Sequence, residues 1–222
     1  MELKIIAHIF NDYTEKFGIP RQSGLVNNVV SQIVFTPEYR NPDAVRGLEQ
    51  YSHLWLIWQF SESIREGWQP TVRPPRLGGN TRMGVFATRS PFRPNPLGLS
   101  VVRLEKIEPE TTRGVILYVS GADLLNGTPI FDIKPYLQYT DSVPEANNGF
   151  ALAQKDGTLS VEFPPELLER IPESKRSALI EVLSQDPRPQ YQNDERVYTM
   201  SFAEYQISFT VKDKTITVCG VN

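Results

Sequence analysis

Short apolar runs separated by turn residues fill the first two thirds of the chain and predict β-strands. The runs are rich in Val and Ile, and no long helical pattern lies between them. The predicted strands span residues 3–10, 31–37, 54–60, 84–89, 99–108, 114–124 and 127–137. Many short strands in succession favour an antiparallel barrel over a doubly wound sheet.

The apolar run at 54–60, LWLIWQF, differs from the others because it is hydrophobic almost throughout. Such a run is typical of a strand that is buried on both faces. Residues 61–83 follow it as a long connection without a clear element of their own. Connections of that length are usually functional or disordered.

The pattern changes after about residue 145, where helical spacing of apolar residues enters. The predicted elements are a strand at 158–163, helices at 164–171 and 173–185, and a hairpin at 198–221 that turns at Lys-Asp-Lys. We therefore predict a mainly β fold with two domains. Residues 1–145 form a small antiparallel β-barrel, and residues 146–222 form a smaller α+β domain.

Composition excludes several classes of protein. The chain has 222 residues, of which 40% are hydrophobic and 22% charged, as is ordinary for a globular protein. No window approaches the length of a membrane span, and the first residues carry no secretory pattern, so we expect a cytoplasmic protein. With one cysteine and two histidines, an intrachain disulfide is excluded and no metal is expected.

Charge is distributed unevenly along the chain. From Gly67 to Leu104, here called the arginine segment, there is no Asp, Glu or Lys but there are six arginines, so the segment carries +6. Because the net charge is −3, the rest of the chain carries −9. This distribution indicates a local anion site, and the guanidinium fork suits phosphate and carboxylate groups.

Within the arginine segment, GVFATRSPFRPNPLGLS (residues 84–100, here the proline loop) is unusually stiff. Its three prolines fix φ and disfavour helical conformation in the residues before them. The loop should therefore hold Arg89, Ser90, Arg93 and Asn95 ready for a ligand at little entropic cost. The alternative is a rigid loop that closes the barrel, with its arginines solvated.

Two other loops have the composition of RNA-binding segments. TVRPPRLGGNTR (71–82) combines three arginines with Gly78-Gly79, but it does not join a strand to a helix as a dinucleotide fingerprint does. QDPRPQY (185–191) holds Arg188 and Tyr191 between prolines, which suits phosphate contact and base stacking. The alternatives are a solvated loop for the first and a simple linker for the second.

A polar turn, DLLNGTPIFDIKPY (123–136), is a further candidate site. Asn126-Gly127 is a strong turn signal, and the Asp and Asn side chains suit a ribose or an adenine edge, although turn formation alone also explains them. His53 precedes the most apolar strand, where a lone histidine is more often structural. No nucleophile for hydrolytic chemistry is evident.

Five ordered blocks of the sequence resemble the TsaA-like/TrmO family of bacterial tRNA methyltransferases. The blocks are FGIPRQSG, VRGLEQYSHLWLI, RPPRLGGNTRMGVFATRSPFRPNPLGLS, DLLNGTPIFDIKPY and DPRPQY, and they extend over nearly the whole chain. The resemblance implies a β-barrel with a C-terminal domain, a homodimer, and S-adenosylmethionine as cofactor. It also implies methylation of the exocyclic nitrogen of threonylcarbamoyl-adenosine, next to the anticodon of threonine tRNA.

The resemblance also implies roles for particular residues. The implied cofactor-binding residues are Pro20, Arg21, Gln22, His53, Leu54, Arg89, Leu99, Asp123, Asn126, Gly127 and Thr128. Residues expected to contact the anticodon loop of tRNA are Arg73, Arg76, Arg82, Arg93, Lys134, Arg188 and Tyr191. Candidates for a general base are Asp132, Tyr136 and His53, and the sequence does not choose among them. Asn126 departs from the family pattern, in which Asp is more usual.

Two other functions remain open at this level. The same barrel and arginines would suit an RNA-binding module that carries no chemistry. They would also suit a methyltransferase that uses S-adenosylmethionine on a small molecule. The arginines of residues 71–82 and the 185–191 segment favour tRNA, because a small substrate does not need them.

Overall fold

The computed structural model describes residues 2–74, 77, 79–153, 157–188 and 196–222. The strands in this part of the chain are β1 (Ala7–Phe10), β2 (Val30–Phe35), β3 (His53–Gln59), β4 (Thr71–Val72), β5 (Met83–Gly84), β6 (Leu97–Glu108), β7 (Ile116–Ser120), β8 (Pro129–Pro135), β9 (Ser160–Glu162), β10 (Tyr198–Phe202), β11 (Tyr205–Lys212) and β12 (Thr215–Val221). The α-helices are α1 (Gln138–Asp141), α2 (Phe150–Ala153), α3 (Pro165–Leu168) and α4 (Glu173–Ser184). None of the helices in these ranges has the length and apolar character needed to cross a membrane.

Six strands close into a barrel in the order β1-β2-β7-β6-β3-β8, and every neighbouring pair is antiparallel. This confirms the predicted mainly β fold with an antiparallel barrel. Residues that alternate along the strands point inward and fill the barrel. The buried interior is built from Ala7, Ile9, Ile33, Leu54, Leu56, Trp58, Val102, Leu117, Val119 and Ile130, among others.

β3 is buried on one face, so the prediction of burial on both faces is wrong. Leu54, Leu56 and Trp58 are buried, whereas the residues between them are only partly covered. The outward aromatic Trp55 packs against Tyr136, with ring centroids 5.7 Å apart. The outward-facing side chains of β3 are partly covered by neighbouring residues. This explains why apolar residues also occupy the outward positions of the strand.

The strand predicted at 84–89 is also wrong, because the chain turns there. Val85–Ala87 forms a single 3₁₀ turn, and the Thr88 hydroxyl donates a hydrogen bond to the Val85 carbonyl over 2.8 Å. Phe86 is left 72% exposed, while Val85 is buried. The preceding connection is not wholly irregular either, because β4 and β5 pair as a short antiparallel ribbon.

The second sheet has the order β10-β11-β12-β9, with β9 parallel to β12 and the other pairs antiparallel. The predicted hairpin at 198–221 is therefore three strands, because a further turn with positive φ at Ala203 divides it. Helix α4 buries Ala178, Leu179, Val182 and Leu183 in the core of this sheet.

The core of the second sheet also includes side chains from the N-terminal part of the chain. Tyr13, Val26 and Val29, which lie between β1 and β2, pack in the same cluster as α4. The division at residue 145 stays a prediction, because side chains from both sides of it share one core. The packing places the segment between β1 and β2 against both sheets.

Candidate functional site

A cavity of about 950 Å³ opens on the side of the barrel where β3 and β6 meet the proline loop. Its walls come from the outer face of β6, from Pro20–Ser23 (here the 20–23 loop), from the end of β3 and the residues after it, and from the 123–128 turn. This volume suits a ligand of nucleoside size, since small-molecule sites are commonly about 300–1,000 Å³.

The apolar wall of the cavity is the outward face of β6. Leu97, Leu99 and Val101 alternate with the inward residues Gly98 and Ser100, so they lie side by side on this face. Leu99 is 58% exposed although it lies in the middle of the barrel wall. An exposed leucine in such a wall is available to pack against the flat face of a ligand.

Gly98 gives the cavity its shape by admitting the indole of Trp58. The two residues are direct partners across β3 and β6. A Cβ atom at position 98 would overlap the indole ring, well inside van der Waals contact. Only glycine therefore lets the ring occupy this place, where it also meets Phe60 with ring centroids 4.3 Å apart.

A chain of hydrogen bonds runs from Trp58 to Asp123 at the cavity. The indole Nε1 of Trp58 donates to the Ser100 hydroxyl over 3.0 Å, and that hydroxyl donates to the Asp123 carboxylate over 2.5 Å. The indole N–H can only donate, so the Ser100 oxygen must accept this hydrogen bond. The hydroxyl proton of Ser100 is then available to point toward Asp123. Asp123 is thereby held in one orientation on the cavity wall.

Burial raises the pKa of the Asp123 carboxyl above its usual range. The hydrogen bonds from Ser100 and from the backbone of Asp123 itself and of Ser23, and the positive charge of Arg89, oppose this effect and favour the ionised form. Desolvation prevails, because removing a carboxylate from water costs more than these partners return. The result is a carboxylate whose affinity for a proton is higher than that of a solvated one.

The 20–23 loop is fastened on three sides. Arg21 donates to the backbone carbonyls of Asp186 and Arg188, over 3.1 and 2.7 Å, beyond the end of α4. Gln22 accepts a hydrogen bond from the guanidinium of Arg89. The Ser23 hydroxyl accepts from the backbone N–H of Val101 on β6, over 3.3 Å. The turn after α4, the proline loop and β6 therefore all fix this wall of the cavity.

The proline loop keeps its shape through internal hydrogen bonds. Arg93 donates to the Thr88 carbonyl over 3.3 Å, and the backbone N–H of Phe92 donates to the Ser90 hydroxyl over 3.2 Å. Arg65 lies over the ring of Phe92, 3.8 Å from its centroid. These contacts agree with the predicted stiffness of the loop, which carries Arg89 to the cavity.

The 123–128 turn is fixed to the segment after β1. Asn126 accepts from the backbone N–H of Asn11 over 3.0 Å, and Gly127 donates from its backbone to Ile9 over 2.7 Å with φ of +82°. Asn126 and Gly127 thus anchor the turn and do not line the cavity, whereas Asp123 and Thr128 do. An amide suffices for this anchoring, because Asn126 only needs to present an oxygen.

The structure gathers seven of the eleven predicted cofactor residues around the cavity. They are Pro20, Arg21, Gln22, Arg89, Leu99, Asp123 and Thr128. Leu54 is completely buried inside the barrel, and His53 lies beside Ser52, whose hydroxyl is 2.9 Å from its Nδ1. Neither belongs to the lining of the cavity.

The three predicted base candidates lie outside the lining of the cavity as well. Asp132 forms an ion pair with Lys134 over 3.0 Å, with the carboxylate side chain 46% exposed. Tyr136 packs edge-on against His53, with ring centroids 6.3 Å apart. The assignment of a base to one of these three residues stays a prediction without support from their positions.

Of the predicted tRNA-contacting residues that the structure describes, one lines the cavity and the others lie outside its lining. Arg93 lines it, Arg73 follows β4, and Arg82 precedes β5, so the last two lie on the exposed β4–β5 ribbon. Arg188 pairs with Asp186 through two hydrogen bonds of 2.9 and 3.0 Å. Arg76 and Tyr191 lie outside the described residues.

Several functional candidates escaped the sequence-based reasoning. Trp58 and Ser100 occupy inward positions on their strands, and from the sequence such positions predict only core residues. The sequence signal for a role of Trp58 is Gly98, since a glycine within a strand indicates that a neighbouring group approaches closely. Three exposed aromatics near the cavity also went unnoticed: Trp68, Phe86 and Phe92 are 49%, 72% and 39% exposed. In the ranges that the structure describes, no cluster of three or more His, Cys, Asp or Glu side chains is placed to hold a metal ion.

Comparison with known families gives matches over both parts of the chain. The profile of the tRNA-methyltransferase O N-terminal domain matches residues 8–142, and the profile of the TrmO C-terminal domain matches residues 156–222.

Individual relatives match over most of their own length. A tRNA (adenine(37)-N6)-methyltransferase of Escherichia coli K12 is 42% identical over 94% of this chain and 92% of the relative. An enzyme of the same name from Eikenella corrodens is 49% identical over 73% of this chain and 92% of the relative. A putative S-adenosylmethionine-dependent methyltransferase of Pseudomonas aeruginosa PAO1 is 42% identical over 86% of this chain and 83% of the relative.

Solved structures agree with these matches. A crystal structure of TrmO superposes with a TM-score of 0.80 at 32% identity, covering 100% of this chain and 98% of the other. A crystal structure of TrmO from Pseudomonas aeruginosa gives 0.79 at 33% identity, with the same coverage.

Proposed function

The chain belongs to the TrmO family of S-adenosylmethionine-dependent tRNA methyltransferases, and from this premise we propose that it methylates the N6 nitrogen of adenine 37 in tRNA. The preferred substrate is the threonylcarbamoyl-modified adenosine of threonine tRNAs, as the resemblance in sequence implies. The observation that carries the proposal is the cavity itself, which combines the expected cofactor residues with a rim of arginines.

The residues around the cavity fit S-adenosylmethionine. Arg89 supplies a fork for the methionine carboxylate, and the β6 wall at Leu97 and Leu99 supplies apolar area for the adenine ring. No glycine-rich dinucleotide fingerprint is needed, because the loops of a barrel form the walls. When bound, S-adenosylmethionine provides an activated methyl group on a sulfonium.

The main task of the protein is alignment of the nitrogen with that methyl group. The exocyclic nitrogen of threonylcarbamoyl-adenosine is amide-like and a poor nucleophile. Holding two reacting groups in line is worth up to about 7–11 kcal/mol of barrier. A cavity whose walls are fastened on three sides, as the 20–23 loop is, suits that task.

The RNA side of the site combines exposed arginines with exposed aromatics. Arg73, Arg82 and Arg89 are exposed on the arginine segment, which holds no acidic residue. Trp68 and Phe86 lie together at the same rim, with ring centroids 6.0 Å apart. Cations that follow a phosphate backbone and rings on which bases stack are the components of a single-stranded nucleic-acid site. An anticodon loop fits this description.

We expect Trp68→Ala to weaken tRNA binding and to leave S-adenosylmethionine binding within about twofold, because Trp68 is exposed and lies outside the cavity lining. Stacking of one base on an aromatic ring is worth about 1–3 kcal/mol, so KM for tRNA should rise roughly 5-fold or more. Steady-state kinetics with tRNA, paired with calorimetric titration of the cofactor, measures both. Tyr139→Ala, which truncates a ring that is 87% exposed outside the cavity lining, is the matched control. Equal effects of the two variants on KM would contradict the assignment.

Arg188→Ala should likewise reduce tRNA methylation while the affinity for S-adenosylmethionine stays unchanged. Arg21 bonds to the backbone carbonyl of residue 188, which truncation of the Arg188 side chain leaves in place. Methylation rates at limiting tRNA and calorimetry of cofactor binding check the two halves of the expectation. A parallel loss of cofactor affinity would remove Arg188 from the RNA-binding set.

The direct test of function is methyl transfer. Purified protein is incubated with methyl-labelled S-adenosylmethionine and total tRNA from cells that lack this protein, and nucleosides are then analysed by mass. A new methyl group on threonylcarbamoyl-adenosine, absent when that precursor modification is missing, is the expected result. Cofactor binding without labelled tRNA would overturn the substrate assignment. Absence of both would overturn the proposed activity.

Assembly and location complete the proposal. We infer a homodimer from the resemblance to the family, and a cytoplasmic location because tRNA is the substrate. Sedimentation equilibrium of the full chain tests the first inference. A mass near 25.2 kDa would contradict the dimer, since that is the mass of one chain.

A further inference from the structure

Methylation of a nitrogen that carries a hydrogen requires somewhere for a proton to go. As the nitrogen–methyl bond forms, the bond between methyl and sulfur breaks and sulfur keeps the electron pair. The nitrogen then carries one bond too many and must lose its N–H proton, so that the products are a neutral thioether, a methylated nitrogen and a protonated base. The proposed function therefore raises the question of which group accepts the proton.

Few side chains at the cavity are able to accept it. In the described part of the lining, the titratable side chains are Lys16, Arg21, Glu62, Arg89, Arg93 and Asp123. No histidine, cysteine or tyrosine is among these lining residues. Four of the six are cations that have no proton-accepting atom while charged. Two carboxylates remain, Glu62 and Asp123.

The two carboxylates differ in their surroundings. Glu62 is exposed, in a 3₁₀ turn after β3. Asp123 is partly buried and is oriented by Ser100, which Trp58 orients in turn. A base held in one orientation and partly withdrawn from water is better prepared for proton transfer than a solvated one, because less reorganisation precedes the reaction.

We propose that Asp123 is the general base of the methyl transfer and that Ser100 and Trp58 are its positioning residues. This inference rests on the proposed function. The proton of the exocyclic nitrogen passes to the carboxylate of Asp123 and leaves to solvent after the methylated product departs. Asp123 thus acts on the substrate nitrogen and is not primarily a ligand of the cofactor.

The electrostatic surroundings of Asp123 suit this role. Burial raises the pKa of its carboxyl, which makes it a stronger base than a solvated aspartate, while Arg89 and the hydrogen bonds keep it ionisable. Tyr13 also faces this region, and burial raises the pKa of its hydroxyl further above neutrality, so it stays uncharged. The methylation rate should therefore rise with pH as Asp123 loses its proton and level off above its pKa.

The decisive variant is Asp123→Asn, which keeps the shape and removes the base. Burial disfavours the charged form at this position, so the neutral amide should fold with a melting temperature at or above that of the wild type. At saturating S-adenosylmethionine, the single-turnover rate on tRNA from cells lacking this protein should fall roughly 100-fold or more. The dissociation constant for S-adenosylmethionine, measured by calorimetry, should change less than threefold.

Asp132→Asn is the matched control, because it makes the same chemical change outside the cavity lining. It should methylate within about threefold of the wild type, and Glu62→Gln, at the other lining carboxylate, should lose far less activity than Asp123→Asn. Greater loss in either of these variants than in Asp123→Asn would overturn the proposal. A large rise in the dissociation constant of Asp123→Asn with an unchanged single-turnover rate would overturn it too, by showing a cofactor ligand.

Ser100→Ala supplies an independent measurement that a merely structural role would not affect. Loss of its hydrogen bond removes a group that favours the ionised carboxylate, so the pKa of Asp123 should rise. The rising limb of the pH–rate profile should then move to higher pH, and Ser100→Thr, which keeps the hydroxyl, should restore it. A limb that does not move would contradict the positioning role. A wild-type protein that does not methylate tRNA at all would defeat the proposed function instead, which is a distinct result.

Discussion

Gly98→Ala should destabilise the protein by about 3 kcal/mol, although it adds a single methyl group. The new Cβ would overlap the indole of Trp58, which is 5% exposed and packed against Phe60. Overpacking of this kind costs about 1–3 kcal/mol, and displacement of the ring also breaks its hydrogen bond to Ser100, worth about 1 kcal/mol. The melting temperature should fall by roughly 6–12 °C.

The control for this substitution is Gly84→Ala, in β5. Gly84 has a negative φ of −56°, and no other atom lies within 4 Å of where its Cβ would be. Its melting temperature should therefore change little. Differential scanning calorimetry of both variants measures the difference. Equal melting temperatures would mean that the indole yields freely, and that Gly98 does not define the shape of the cavity.

Arg89→Ala should weaken S-adenosylmethionine binding about 10- to 100-fold. A hydrogen bond between charged groups contributes about 1.5–3 kcal/mol, and the fork of arginine makes two such bonds to a carboxylate. Calorimetric titration of wild type and variant measures the change directly. Arg89→Lys keeps the charge but not the fork, so its affinity should be intermediate.

A truncated ligand separates the role of Arg89 from a general effect on the cavity. Methylthioadenosine has the adenosine and the sulfur of the cofactor but no carboxylate. Its affinity should be nearly the same in wild type and in Arg89→Ala. A similar loss for both ligands would contradict carboxylate binding by Arg89 and would point to disturbance of Gln22, which Arg89 holds.

The sequence predicts the barrel well because each strand carries its own signal. Alternating Val and Ile between Gly, Pro and Asn turns is a local property, and six strands of the barrel follow it closely. The strand predicted at 84–89 is absent because apolar character along the sequence does not reveal which side chains will be buried by the rest of the fold. The Phe86 side chain stays exposed, and the chain forms a 3₁₀ turn at this point.

Strand register and the pairing of distant segments decide which of the predicted site residues lie at the cavity. Arg89 and Gln22 are far apart in sequence, and only the resemblance to a family, now confirmed by both domain profiles, placed them together. Leu54 and Leu99 look alike in the sequence, yet one fills the barrel and the other faces the cavity, because strand register decides the side. The chain of hydrogen bonds from Trp58 through Ser100 to Asp123 joins three separate segments of the chain. No local sequence pattern can therefore predict it.

The fastening of Arg21 to the carbonyls of residues 186 and 188 has a thermodynamic consequence. The same guanidinium borders the cofactor cavity and fixes the turn that precedes the predicted RNA-contacting segment. Any RNA contact that orders this turn also orders the cavity wall, and occupation of the cavity orders the turn in return. By linkage, each ligand must then raise the affinity for the other by the same factor. We therefore expect cofactor and tRNA to bind cooperatively through the contact of Arg21 with the turn after α4.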